Sequence, residues 1–305
     1  MGRQTQIRKS CSSRHGIAGK LPACIAILLS ALMPLWGQQR LPFEPLHDSG
    51  QSVTPAYEGW FRNPDGSFSL LFGYHNRNLN QELDIPIGPQ NRIDPGGPDR
   101  GQPDHFAPGR QWGLFTVTVP KDFGVNKLTW TLATNRETTA IPAGLNPLWE
   151  VSPFIEASGN TPPYISLEEG GAFVQGPRGI RATLTTTRAE PFAISVWAAD
   201  DLKGIFGTLR PLGSPVTVSW GKFRGPGVVT FANDKPPVEK ADFVATPASA
   251  FTGKATTTAS FGVPGEYVLR VVANDWSGDG GRGFQCCWTN AYVIVTVKPG
   301  AAGSR

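Results

Sequence analysis

The chain has 305 residues, and its 36 Gly and 28 Pro sit among short β-branched and aromatic runs with almost no helical periodicity. That pattern excludes helical bundles and coiled coils and points to an all-β protein. Lys and Arg outnumber Asp and Glu by 28 to 24, but residues 1–37 hold five of the basic residues and none of the acidic ones; without them the count is 23 against 24, a net of −1. The charge balance therefore gives no ground for a nucleic-acid or anionic-membrane partner.

Residues 1–20 are basic and polar, and residues 21–36 are apolar. That order is the layout of a secretory signal peptide. Cleavage is expected after Gly37, with Leu35 and Gly37 at the recognition positions. Cys24 does not read as a lipidation site, because the apolar run follows it. An uncleaved anchor is the weaker alternative, since the run falls short of the ~20 residues of a membrane span. The chain is thus expected to be exported, to a periplasm or to the cell exterior.

Residues 38–53 read as an extended lead-in, and residues 54–151 as the first of two tandem antiparallel β-sandwiches. Strand patterns over residues 57–61 and 67–74 flank Asn63-Pro64-Asp65-Gly66, where Asp-Gly is a hairpin signal. Residues 88–110, GPQNRIDPGGPDRGQPDHFAPGR, are too long and too rich in Pro and Gly for a regular element. Loops of that length are usually functional or disordered. Strands return at residues 112–119 and 127–133, and Trp149 closes the domain.

His75, Asp99, Asp104 and His105 could meet across the long loop around a divalent metal, but no HExxH or His-x-His spacing supports this. The simpler expectation is that Asn76, Asn78, Asp99, Arg100 and Arg110 satisfy loop backbone groups. No metal site is assigned. No P-loop, glycine-rich dinucleotide motif or GxSxG elbow is present, so no cofactor and no catalytic residue is assigned either.

The segments FGYHNRN, DIPIGPQNRI, DRGQPDHFAPGR, WGLFTVTVP and LTWTL resemble a module that recurs in secreted bacterial proteins. The resemblance spans residues 57–149. It implies a secreted β-sandwich and carries no assigned activity.

Residues 152–162 change composition abruptly and read as a linker. A second sandwich is expected over residues 163–299, ahead of a polar tail at 300–305. In residues 267–273, Tyr267, Leu269, Val271 and Ala273 share one face and Arg270 points the other way. In the last strand Val293, Val295 and Val297 are the inward set, and Trp220 falls where sandwiches keep a core tryptophan. PGEYVLRVVAND resembles the penultimate strand of Ig-like and PKD-like sandwiches, with Tyr267 placed like a tyrosine-corner residue. Leu269 stands where antibody domains have their second cysteine, which favours a PKD-like or generic Ig-like module. Fold resemblance of this kind says little about function.

Once the leader is gone, only Cys286 and Cys287 remain. In an oxidising compartment they can form a vicinal disulfide, stay as buried thiols, or bridge two chains. A thiol redox or metal role is a further alternative, although two thiolates are too few for structural zinc. Asp275 and Asp279 lack the spacing of an EF-hand calcium loop. Of the nine tryptophans, Trp276 and Trp288 flank the last Gly/Asp loop and are expected to be exposed, where an indole could stack on a sugar ring. The candidate ligand contacts are therefore Trp276, Trp288, His105 and Arg110. The expected role is structural or adhesive, with a cell-surface protein or a glycan as partner; ligand binding through the long loops is the alternative.

Overall fold

The computed structural model describes residues 47–156, 159–187, 190–203, 214–275 and 286–300. The expected leader and Trp276 lie outside these residues. The chain is all-β, and Leu46–Arg305 form one compact unit with two hydrophobic cores.

The first module holds β1 (Val53–Arg62), β2 (Phe68–Asn76), β3 (Leu83–Asp84), β4 (Asn91–Asp94), β5 (His105–Phe106), β6 (Gly109–Val119), β7 (Lys127–Thr134) and β8 (Glu137–Gly144). One sheet has the order β1-β2-β6 and the other β4-β7-β8, with β3 and β5 paired beside them. Between the sheets lie Phe72, Phe106, Phe115 and Trp130, at most 3% exposed. Trp130 can be buried because its indole N–H donates to Asn91 Oδ1 at 3.0 Å. The segment 88–110, expected to be irregular, contributes β4, β5 and the start of β6. Its Pro and Gly punctuate very short strands, and period-2 alternation cannot be read over two to four residues.

The second module holds β9 (Tyr164–Ser166), β10 (Val174–Gln175), β11 (Arg181–Thr187), β12 (Phe192–Asp200), β13 (Val216–Arg224), β14 (Val229–Phe231), β15 (Glu239–Lys240), β16 (Phe251–Phe261), β17 (Gly265–Asp275) and β18 (Trp288–Lys298). One sheet has the order β10-β9-β12-β16-β14, with β15 added on β16, and faces a sheet ordered β11-β18-β17-β13. The pairing of β11 with β18 is parallel, a departure from the all-antiparallel sandwich expected. Tyr267, Leu269, Val271 and Ala273 are fully buried in this core with Val293, Val295 and Val297, as the alternation requires. Trp220 joins them at 5% exposure.

The two modules pack on each other. Phe223 and Tyr292, from the second module, are buried in the core cluster of the first, and Val268 packs against it. The stretch expected to be a linker is docked as well. Phe154 meets Phe61 edge-on at 5.3 Å. Asn160 Nδ2 donates to Asp275 Oδ2 at 2.6 Å.

Tyr267 makes the hydrogen bond that its position suggested, its hydroxyl donating to the Val263 carbonyl at 2.8 Å. Its ring lies flush on Gly225, where a Cβ would overlap it. Tyr267→Phe keeps the ring and leaves a carbonyl without its donor. Its expected cost is about 1–2 kcal/mol, read as a lower urea midpoint at unchanged slope.

Candidate functional site: the junction of the two sandwiches

The polar residues of the first module converge where β6 crosses the outer face of the β11-β18-β17-β13 sheet. Two irregularities aim them there. The β1–β2 register shifts between Tyr57 and Gly59, which leaves Glu58 as the extra residue of a bulge. The β2–β6 register shifts between Phe72 and Tyr74, where Phe72 pairs with Phe115 and Tyr74 with Gln111. Trp112, Gly113 and Leu114 therefore stand outside the ladder. A bulge leaves backbone groups unpaired and redirects side chains, and here it does both.

One N–H and all three carbonyls of the bulge find side-chain partners. Gly113 N–H donates to Glu58 Oε2 at 2.6 Å. The Gly113 carbonyl accepts from Asn290 Nδ2 at 2.7 Å and from the Trp288 indole N–H at 3.3 Å. Tyr292 Oη donates to the Leu114 carbonyl at 2.6 Å, and Arg270 Nη2 reaches the Trp112 carbonyl at 3.5 Å. Asn290 Oδ1 in turn accepts from Arg270 Nε and Nη2 at 3.0 and 2.7 Å. Glu58 also forms an ion pair with Arg110. Burial pushes its carboxyl above the ordinary range, with the Arg110 charge, the Gly113 N–H and Arg270 pulling the other way.

A second set of contacts comes from residues 99–105 and engages the end of β13. Arg224 makes a bidentate pair with Asp99, at 3.0 and 2.8 Å, and its Nε donates to the Gln102 carbonyl at 2.7 Å. Asp104 N–H donates to the Phe223 carbonyl at 3.3 Å, and its Oδ1 accepts from Gly225 N–H at 3.2 Å. His105 Nδ1 lies 2.8 Å from Asp84 Oδ1, which also accepts from Lys222 Nζ at 3.0 Å. Partial burial pushes the Asp84 carboxyl up, but the hydrogen bonds from His105 and Lys222 hold it below its ordinary value. The Arg224 hydrogen bonds hold Asp99 low as well.

His105 and Arg110 are thus engaged in internal contacts, His105 buried beside Asp84 and Arg110 paired with Glu58. Asn76, Asn78, Asp99, Arg100 and Arg110 all bond to loop or strand backbone, as the simpler expectation had it. Among the described residues no group of three or more His, Cys, Asp or Glu could hold a metal ion. Trp288 requires a correction: expected to be exposed, it is 4% exposed, because its indole is needed against Gly113. Cys286 and Cys287 are joined in a vicinal disulfide and are buried. Trp276 and the calcium-loop candidate Asp279 lie outside the described residues.

No family model and no curated protein matches the chain. Among solved structures, a point mutant of CfaE, the CFA/I adhesin of enterotoxigenic E. coli, is similar over 85% of this chain and 82% of that chain. The identity is 10% and the TM-score 0.25, so the likeness carries no argument about this chain.

Beside the bulge a groove of about 920 Å³ runs along β13, lined in part by Arg110, Trp112, Lys222, Arg270 and Trp288. Trp112 is 37% exposed, and the Arg110 guanidinium lies 3.7 Å above its ring. Sequence reading pointed to His105, Arg110 and Trp288, which all line this groove, and missed Glu58, Gly113, Arg270 and Asn290. Of these only Arg270 carried a signal, as a charge on the outward face of a strand whose neighbours are apolar.

Gly113 has φ +52°, and a Cβ there would overlap the Trp288 ring. Gly113→Ala is expected to cost about 2–4 kcal/mol, from left-handed backbone and overpacking together, and to quench or shift Trp288 fluorescence. Asp99 yields a pH prediction of known sign. Its carboxyl is held low in the folded chain, so its contribution is present above the unfolded value and is lost as pH falls through the folded one. The melting-temperature gap between wild type and Asp99→Asn should be full at neutral pH and close below about pH 4.

Proposed function

We propose that the chain is an exported structural or adhesive protein, in which an N-terminal module of a kind found in secreted bacterial proteins is locked onto a PKD-like or Ig-like sandwich. The observation that carries this reading is the use made of residues 99–110. Asp99, Asp104, His105 and Arg110 all serve to fix one module to itself or to the other. Side chains held that way serve rigidity, which a protein that bears load or presents a surface needs, and the role does not require catalysis. Export is supported by the basic-then-apolar start of the sequence, and a Cys286–Cys287 disulfide suits the oxidising conditions of a periplasm or the cell exterior.

Binding of a glycan or peptide in the groove is the second reading. What favours it is the exposed face of Trp112 at the groove lip, with Arg110 stacked on its other side. A redox or metal role for Cys286 and Cys287 is the weakest, since a metal needs thiolates where the structure has a bond, and a redox partner would have to reach a buried pair.

Intact mass of the exported protein, with and without alkylation in the absence of reductant, tests the compartment and the cysteine pair together. The expected species begins at Gln38, is lighter than the dithiol by a pair of hydrogen atoms, and refuses alkylation. Retention of Met1 would overturn export. Two alkylated thiols would move the assignment to the redox reading.

A further inference from the structure

The first module leaves part of the β11-β18-β17-β13 sheet uncovered. A cleft of about 500 Å³ opens there, floored by Val268, Tyr292 and Ile294 and closed on one side by Phe115 of β6. Four arginines line it: Arg100 from the first module and Arg178, Arg181 and Arg224 from the second. Asp99 is the one carboxylate among the lining residues, and Arg224 already holds it in a bidentate pair.

The other three guanidiniums have no carboxylate within ion-pair distance among the described residues. Arg100 Nη1 donates to the Pro95 carbonyl at 3.3 Å. Arg178 Nε donates to Asn63 Oδ1 at 3.2 Å, and its guanidinium lies 4.3 Å over the Phe154 ring, which fixes its direction. Arg181 begins β11 and is exposed. Isolated surface arginines are ordinary. Here four come from three segments of the two modules onto one concavity, where the lining, Asp99 included, carries a net charge of three positive; Asp65, outside the lining, acts on Arg178 from beyond ion-pair distance. Like charges gathered in one concavity raise the local positive potential even where solvent screens them, and an oxyanion is drawn to it. The planar guanidinium fork also matches carboxylate and sulfate in two-point contact.

We propose that this cleft binds an acidic saccharide, a sugar chain bearing carboxylate or sulfate groups. A free inorganic anion would fill little of the cleft, whose volume lies in the ~300–1,000 Å³ range of small-ligand sites. The floor is the face of a sheet and not an open edge, so a peptide could not add to it as a strand. Nucleic acid would need exposed rings to stack on, and Phe115, Phe223 and Tyr292 are all buried. Val268 and Ile294 offer apolar surface to the C–H faces of a sugar ring, with charged groups around it. The site gives the adhesive reading a ligand class and rests on that reading for its use, not for its chemistry.

Calorimetry on the purified full chain tests it, with a heparin hexasaccharide, a tri-galacturonate, a neutral dextran oligosaccharide and sodium sulfate as probes. At least one charged sugar should bind near the micromolar range, about 8 kcal/mol, and dextran should not. Arg181→Glu and the double variant Arg100→Ala/Arg181→Ala should each weaken that binding at least about tenfold and flatten its salt dependence. Both side chains avoid the core, so melting temperatures should hold. Equal binding of dextran would overturn the proposal, as would binding of the charged sugars indifferent to both variants. Sulfate binding as tightly as the sugars would mean an adventitious ion only, and no binding of any probe would end the proposal. Failure of export in the mass measurement would sink the adhesive reading and leave this calorimetry unaffected, so the two fail separately.

Discussion

Three residues of β6 that cannot join their own sheet govern how this protein is put together. Where Trp112, Gly113 and Leu114 leave the ladder, three carbonyls and an N–H would face the interior of a packed junction. A buried backbone group without a partner costs about 1–3 kcal/mol, and several of them rival the ~5–15 kcal/mol that separates a folded domain from its unfolded chain. The first module meets the N–H with Glu58 but leaves the carbonyls to the second, which supplies Arg270, Trp288, Asn290 and Tyr292. The bulge is therefore satisfied only when the two sandwiches are together. Polar contacts across an interface usually fix register more than they add affinity. In this junction they also replace the water that docking takes from the bulge carbonyls.

Glu58 and Arg110 show why the junction has to be dry and paired at once. A carboxylate buried to this extent is unfavourable unless it is hydrogen-bonded on both oxygens and faces a positive charge. Its two oxygens meet Arg110 and the Gly113 N–H, and Arg270 adds a second positive charge from across the interface. Arg110 then covers the Trp112 ring and bonds the carbonyls of Tyr74 and Gln111. One charged pair thus fixes the shape of the bulge before the second module arrives.

The core faces of the long strands were legible in the sequence because alternation is local. Tyr267 to Ala273 and Val293 to Val297 obey period 2 without interruption, and the buried sets follow from it. The tyrosine hydrogen bond was legible for the same reason, since its partner is four residues away. The bulges were not. A bulge is a mismatch between two strands and leaves no mark on either alone. The exposure assigned to Trp288 failed on a contact with a residue 175 positions earlier. The segment 88–110 looked like a free loop because its partners, Phe223, Arg224 and Gly225, lie over 115 residues downstream. Its abundance of Pro, Gly and Asp is what a chain needs to follow another module's surface while keeping its backbone groups bonded.

The lock and the arginine cleft share one sheet face, and that placement has a thermodynamic consequence. Tyr292 reaches the bulge with its hydroxyl and floors the cleft with its ring, while Arg224 clips Asp99 to β13 and lines the same cleft. Arg100 comes to the cleft on the first module, and Arg178 and Arg181 on the second. An anion placed among the arginines would favour the docked arrangement over the separated one, because only docking brings all four within its reach. By linkage the same free energy appears both as ligand affinity and as rigidity of the junction. A protein built this way would be stiffest where and when it is bound.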